Sequence, residues 1–130
     1  MLINNNEYFQ VLERVKAQIL NAQYRAVLGA NSEQILLYWN IGKVIIANSG
    51  YGVKFIENLA RDIKSEFPNT KGYSVRNLKY MRKFAEFVPD EAKVQTVSAL
   101  LTWSHNRYLF DKTKSFDEYM WYASQTVENG

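Results

Sequence analysis

Three observations predict an all-α fold for this 130-residue chain. Apolar residues recur every three or four positions along most of it, only two prolines and six glycines interrupt them, and no Asn-Gly type dipeptide joins two alternating apolar runs. The expected architecture is a long N-terminal helix, then a helix-turn-helix-like pair, then two further helices, as one domain over residues 1–130. At 47% hydrophobic composition, a chain this long can bury a core without metal or disulfide staples. Cysteine is absent, which removes thiol nucleophiles, thiolate metal sites and disulfides and suits a cytoplasmic protein. The N-terminal "MLINNNEYFQ" has no basic segment leading into an apolar stretch, and no run approaches the roughly 20 apolar residues of a membrane span. A soluble protein with no membrane partner is expected.

The first helix rests on Tyr8, Leu12, Val15, Ile19, Ala22 and Ala26, and the same rhythm resumes at Ile35, Tyr38, Trp39, Gly42, Ile45 and Ile46. Between the two halves, "GANSE" reads either as a break capped by Ser32 or as a weak spot in one helix from about residue 6 to 48; the single helix is favoured. Gly42 inside it costs roughly 1 kcal/mol against Ala, so its expected use is to let another helix cross closely beside Trp39. "NSGYG" ends the helix, since Gly50 and Gly52 reach conformations that other residues resist. A second helix over about 53 to 67 carries Phe55, Ile56, Leu59, Ala60, Ile63 and Phe67 on its apolar face, and Pro68 stops it. After the turn "PNTKGY", Ser74 is placed to cap a third helix by accepting the N–H of Asn77. That helix runs to about Val88, where "VPDE" closes it. A helical stretch spans roughly 92 to 111, with Thr102 as a candidate restart. Ser115 and Glu118 then form a capping box for a last helix that turns Phe116, Tyr119, Met120, Ala123 and Val127 inward.

Charge is unevenly placed. Net charge is +3, yet Lys54 to Lys83 hold eight basic residues against Glu57, Asp62 and Glu66, giving +5, while the remainder is −2. The segment "KGYSVRNLKYMRK" contains Lys71, Arg76, Lys79, Arg82 and Lys83 and no carboxylate. At 100° per residue, Leu78, Met81, Phe84, Ala85 and Val88 share one side of the third helix, and Arg76, Lys79 and Lys83 fall within about 60° on the other. Like charges so spaced repel by a few tenths of a kcal/mol per pair, which an external anion along the helix would relieve. Two helices joined by a short glycine-containing turn, the second basic outside and apolar inside, match the plan whose second helix enters the DNA major groove. The candidate contact residues for double-stranded DNA are therefore Lys71, Ser74, Arg76, Asn77, Lys79, Tyr80 and Lys83. Solvated lysines on an exposed helix remain the plain alternative. Arg82, on the flank of the apolar side, is expected to pair with Glu57 or Asp62 and not with DNA.

Catalytic signals are weak. His105, in "TWSHN", is the only histidine, and with no cysteine a zinc site would need mostly carboxylates. It reads as a packed or capped helix residue beside Trp103. "PDEAK" contains the letters of a metal-dependent nuclease signature, but that chemistry needs its acids on two neighbouring strands. "GYG" lacks the spacing and the lysine of a phosphate loop. No catalytic residue, metal or cofactor is expected of this chain.

"ILLYWNIGKVI", "GYGVKFIENLARDIKSEFPNTKGYSVRNLKYMRKF", "LLTWSHNRYL" and "WYASQTVENG" together resemble the N-terminal domain of the YhcG family of bacterial nucleases. The resemblance runs from about residue 8 to the end. Its most specific elements are "GYS-x-x-NL-x-x-MR-x-F" and "W-S-H". It implies a helical DNA-recognition module, with nuclease chemistry in a separate C-terminal PD-(D/E)xK domain absent from this chain. The matching positions are Tyr38, Trp39, Gly42, Gly52, Gly72, Ser74, Asn77, Leu78, Met81, Arg82, Phe84, Trp103 and His105. Most are apolar or glycine, which points to folding as their family role. A rival reading, a protein-interaction or dimerisation module, rests on the long apolar first helix and the aromatic "DEYMWYAS". A first helix of some 40 residues would reach roughly 60 Å, so part of it would overhang the domain and expose apolar side chains that the second copy of a homodimer would cover.

Overall fold

In the computed structural model of the chain, α1 is a single 43-residue helix, Asn5–Ala47. Described are residues 5–48, 50, 52 and 54–129, with residues 5, 24, 25 and 28 described by backbone alone. The helix continues through "GANSE" because Asn31 and Ser32 use their side chains for tertiary bonds instead of capping. Asn31 Nδ2 donates to the carbonyls of Ala99 (3.1 Å) and Leu101 (2.9 Å), and Ser32 Oγ donates to Ala99 (3.4 Å). Part of the expected "NSGYG" stop lies outside the described residues; Gly52 within it takes φ +89°.

Four elements follow the expected order: α2 (Lys54–Glu66), α3 (Val75–Phe87), α4 (Glu91–Thr96) and, after a 3₁₀ turn at Ser98–Leu100, α5 (Trp103–Lys112). The last helix is α6 (Phe116–Asn129), and no strand occurs among the described residues. Ser74 caps α3, its Oγ accepting the Asn77 N–H at 3.1 Å, and Ser115 accepts the Glu118 N–H at 3.2 Å to start α6.

The stretch expected to be helical from 92 to 111 is broken in the middle, for a specific reason. In a continuous helix the carbonyls of Ser98, Ala99, Leu101 and Thr102 would accept N–H groups four residues on. Here the Asn31 side-chain amide takes Ala99 and Leu101, and the Ser98 carbonyl accepts the Leu101 N–H (3.1 Å) and Asn106 Nδ2 (3.1 Å); only the Thr102 carbonyl keeps its helical bond, from the Asn106 N–H at 3.1 Å, with Asn106 Nδ2 added at 3.0 Å. Thr102 is the restart, its Oγ1 accepting the His105 N–H at 3.1 Å. Tyr119 of α6 locks this corner by donating its hydroxyl to Asn106 Oδ1 at 2.5 Å, with Ser98 Oγ 2.8 Å from the same phenol oxygen. Ser98, Asn106 and Tyr119 are all fully buried, and no buried side-chain polar atom among the described residues lacks a partner.

α3 is central to the packing. Tyr38, Ile45, Ile56, Leu78 and Met81 form one core between α1, α2 and α3. Ile35, Trp39, Phe84, Val88, Val94, Leu109, Phe110 and Tyr119 belong to a second, which joins α1 and α3 to α4, α5 and α6. The Phe84 and Phe110 rings stack at 5.3 Å, and Trp39 Nε1 donates to the Val88 carbonyl at 2.6 Å, tying α1 to the end of α3. Where α1 and α3 cross, a Cβ at Gly42 would fall on the Met81 carbonyl oxygen and lie 3.0 Å from the Ala85 Cβ. Gly42 thus serves the close crossing its position predicts. Gly72, at φ +101°, makes the turn into α3, where a Cβ would meet the Tyr38 hydroxyl at 2.6 Å.

Ile46, Phe67, Val127 and the N-terminal half of α1 do not make the core contributions expected of them. Phe67 and Val127 are exposed, each at the end of its helix. In the N-terminal half of α1, residues 6–23 are exposed throughout, whereas Asn31 already bonds to the carbonyls of Ala99 and Leu101. A 43-residue helix is about 65 Å long, and only its second half meets the other helices.

Two stability outcomes follow from this packing. Gly42→Ala should lower the melting temperature sharply, because overpacking typically costs about 1–3 kcal/mol and here the obstacle is backbone; an unchanged melt would refute the crossing. Burial pushes the Tyr119 phenol up to about 12, with the Ser98 hydrogen bond working the other way. The phenol's unfolded value is about 10, so the unfolded chain releases this proton first and stability should fall as pH rises from about 10 to 12. Melting curves across that window, with Tyr119→Phe as the flatter comparison, test it. Tyr119→Phe should itself cost about 1–3 kcal/mol at neutral pH by leaving Asn106 Oδ1 buried without its donor.

Candidate nucleic-acid interface

Leu78, Met81, Phe84 and Val88 are fully buried on the inner side of α3. The 3.6-residue period therefore turns Arg76, Lys79 and Lys83 outward. Arg76 and Lys79 are exposed and Lys83 is half-buried. Together with Tyr80, Arg82, Glu86 and Phe87 they line an open groove of about 410 Å³.

The groove is less purely basic than its own helix suggests. Lys83 Nζ lies 3.6 Å from Asp111 Oδ1 on α5, and Tyr80 donates its hydroxyl to Asp111 Oδ2 at 2.6 Å. Glu86 pairs with Arg82 at 3.7 Å and not with Lys83, and Arg82 therefore meets neither Glu57 nor Asp62. Its partner is one turn along its own helix, because the guanidinium lies on the outer flank, 43% exposed, instead of reaching across to α2. Asp62 is held by Arg61 at 3.3 Å. No carboxylate pairs with Arg76, Lys79 or Lys71 among the described residues.

α5 also adds a cation that a reading of α3 alone misses. The Arg107 guanidinium lies 5.3 Å from the centre of the Tyr80 ring, and that of Arg76 lies 5.8 Å from it. Tyr80 is thus a ring with two cations against it and its hydroxyl fixed. Because Arg107 comes from a helix 30 residues on, helical periodicity had no means of finding it; its place in "HNRYLF" carries no special signal.

Toward the start of α3 a second groove of about 540 Å³ opens between α2 and the turn, lined in part by Arg61, Lys64, Lys71, Tyr73 and Ser74. Lys64 Nζ donates to the Pro68 carbonyl at 3.2 Å, and Lys71 is exposed at the rim. Ser74 sits between the grooves, its Oγ turned to the Asn77 N–H.

Asn77 is placed differently from the other candidates. It is 7% exposed. Its Nδ2 donates to the Gly72 carbonyl at 2.6 Å, and its Oδ1 accepts from Trp103 Nε1 at 2.7 Å and Arg107 at 3.4 Å. The amide is spent inside the fold, where it closes the Gly72 turn onto α5, so it reads no base edge. Trp103 in turn packs edge-on against Tyr38 at 4.9 Å. The Asn77, Gly72 and Trp103 matches in the family-like motifs are therefore structural.

His105 is exposed in the first turn of α5, with Nδ1 2.9 Å from Thr102 Oγ1. In "PDEAK", Asp90 caps α4 by accepting the Ala92 N–H at 2.8 Å. The described residues include no cluster of three or more metal-ligating side chains and no helix long and apolar enough to cross a membrane.

The family model of the DUF1016 N-terminal domain matches residues 14–130 of this chain. No curated protein and no solved structure matches it.

Asn77→Ala should destabilise the domain by about 1–3 kcal/mol, since it strands the Trp103 indole N–H and the Gly72 carbonyl. Thermal melting checks this, and a variant that melts like the wild type would return Asn77 to the surface role.

Proposed function

The chain belongs to the DUF1016 N-terminal domain family, which is the N-terminal domain of the YhcG family, and on that premise we propose that it is a DNA-binding module. It grips the phosphate backbone of double-stranded DNA with the outer face of α3, in a helix-turn-helix-like arrangement with α2. One observation carries the reading. Arg76, Lys79 and Lys83 on the outer side of α3, whose inner side is fully buried, and Arg107 from α5 gather around Tyr80, with Asp111 their only ion-paired carboxylate among the described residues. Unpaired cations in a row gain nothing for the fold. They do suit an anion that runs along the helix. From Arg76 to Lys83 is about 10 Å of helix, a length over which duplex DNA presents on the order of six phosphate charges.

Recognition here is by backbone contact and steering. Lys71, beside the second groove, extends the surface past the turn. Tyr80, its hydroxyl tethered to Asp111, offers its ring to a sugar or base edge. The module works in the cytoplasm, and cleavage belongs to a separate PD-(D/E)xK domain, as the family resemblance implies; the residues of this chain bind and position.

Salt titration of duplex binding tests the assignment. The slope of log affinity against log salt should be roughly −2 to −3, with affinity on the order of 10⁻⁴ to 10⁻⁶ M at physiological salt. Arg76→Ala and Lys79→Ala should each flatten the slope by about 0.9. Lys83→Ala should flatten it less, because a phosphate must first displace Asp111. Arg82→Ala should leave the slope intact, and none of the lysine variants should shift the melting temperature appreciably. Equal binding at low salt by the wild type and the triple Arg76, Lys79, Lys83 to Ala variant would overturn the reading.

A further inference from the structure

The overhanging half of α1 carries large apolar side chains in water: Tyr8, Phe9, Val11, Leu12, Val15, Ile19, Leu20 and Val27 are each 38 to 67% exposed. At 100° per residue, Tyr8, Val11, Leu12, Val15 and Ile19 lie within about 60° of one line along the helix, while Phe9, Leu20 and Val27 lie about 100–120° round from it.

The pattern within it is specific. Tyr8, Leu12, Val15, Ile19, Ala22 and Ala26 alternate steps of four and three, the 3.5-residue repeat of a coiled-coil seam. At 100° per residue this seam points roughly 160° away from the face of α1, centred on Gly42, that packs on α3. It therefore cannot fold back onto the same body, and a straight helix leaves it to an external surface.

We propose that the partner is a second copy of this chain, docked antiparallel along the seam about a twofold axis near residue 17. In that register each layer of the seam pairs one a-type with one d-type position. Tyr8 of one copy lies over Ala26 of the other, Leu12 over Ala22, and Val15 over Ile19. Large side chains thus meet small ones at both ends and two of middle size meet at the centre, so every layer fills to a similar volume. A parallel pairing would stack Tyr8 on Tyr8 and Ala26 on Ala26, overfilled at one end and hollow at the other. Charge permits the self-contact. Lys16, the cation that flanks the seam at its centre, is already paired with Glu13 at 3.4 Å. The inference is independent of the DNA reading, which concerns the outer face of α3.

Sedimentation equilibrium of the whole chain tests it. The wild type should approach twice its 15.2 kDa mass at high micromolar concentration. Leu12→Asp with Ile19→Asp should remain at the single-chain mass while keeping the wild-type melting of the body, since neither residue touches the core. The far-ultraviolet helix signal of the wild type should rise with concentration and that of the double variant should not. The chain has no cysteine, which makes the register readable. Leu12→Cys mixed with Ala22→Cys should form a disulfide between unlike chains, and Leu12→Cys alone should not. A monomeric wild type, a dimer indifferent to the two aspartates, or efficient bonding of Leu12→Cys to itself would each overturn the proposal. The triple Arg76, Lys79, Lys83 to Ala variant should dimerise like the wild type, so failure of the DNA assignment and failure of this one are told apart.

Discussion

α3 rests on α1 with backbone against side-chain-free backbone, and the rest of the domain is arranged around that contact. Gly42 removes the Cβ that would strike the Met81 carbonyl, so the two helices can cross closely there. The approach sinks Leu78, Met81 and Phe84 completely. It also leaves α1 free to hold Trp39 against Val88 at one end of α3 and Tyr38 against Trp103 near the other. Every other helix packs on this crossed pair. Because the inner side of α3 is so fully used, its outer side is committed to solvent or to a ligand, and the direction of its cations follows from a glycine on a different helix.

The outer side shows how tertiary structure edits a charge pattern. Along the sequence, five cations stand without a carboxylate. In the fold, Asp111 arrives from α5 to meet Lys83 and Tyr80, and Glu86 takes Arg82, while Arg107 adds a new cation beside Tyr80. Such exposed ion pairs contribute little to stability. Their effect is on position: they hold Lys83 and Tyr80 still and leave Lys71, Arg76 and Lys79 without a paired carboxylate among the described residues. Asn77, which sits among them in the chain, belongs to the interior, as its bonds to Gly72 and Trp103 require.

A second editing happens along α1. One helix carries two apolar stripes on nearly opposite sides, the C-terminal one consumed by α3 and the N-terminal one left bare. Continuity of hydrogen bonding forces both to share one axis, so the second stripe cannot rotate to join the core.

By itself the sequence determined what depends on near neighbours. The helices and their approximate ends were legible because apolar spacing, Ser74, Ser115, Pro68 and Gly42 act within a turn or two of themselves. The apolar and basic sides of α3 were legible for the same reason, as was the excess length of α1. What only the tertiary structure decided depends on partners distant in the chain. The break near Leu101 comes from the amide of Asn31, 70 residues away. The burial of Tyr119 against Ser98 and Asn106, the arrival of Asp111 and Arg107 beside α3, and the exposure of residues 8–23 are of the same kind. A periodic pattern states that a face is apolar or charged; which surface meets it is set by how helices cross, and that is fixed by contacts no local window contains.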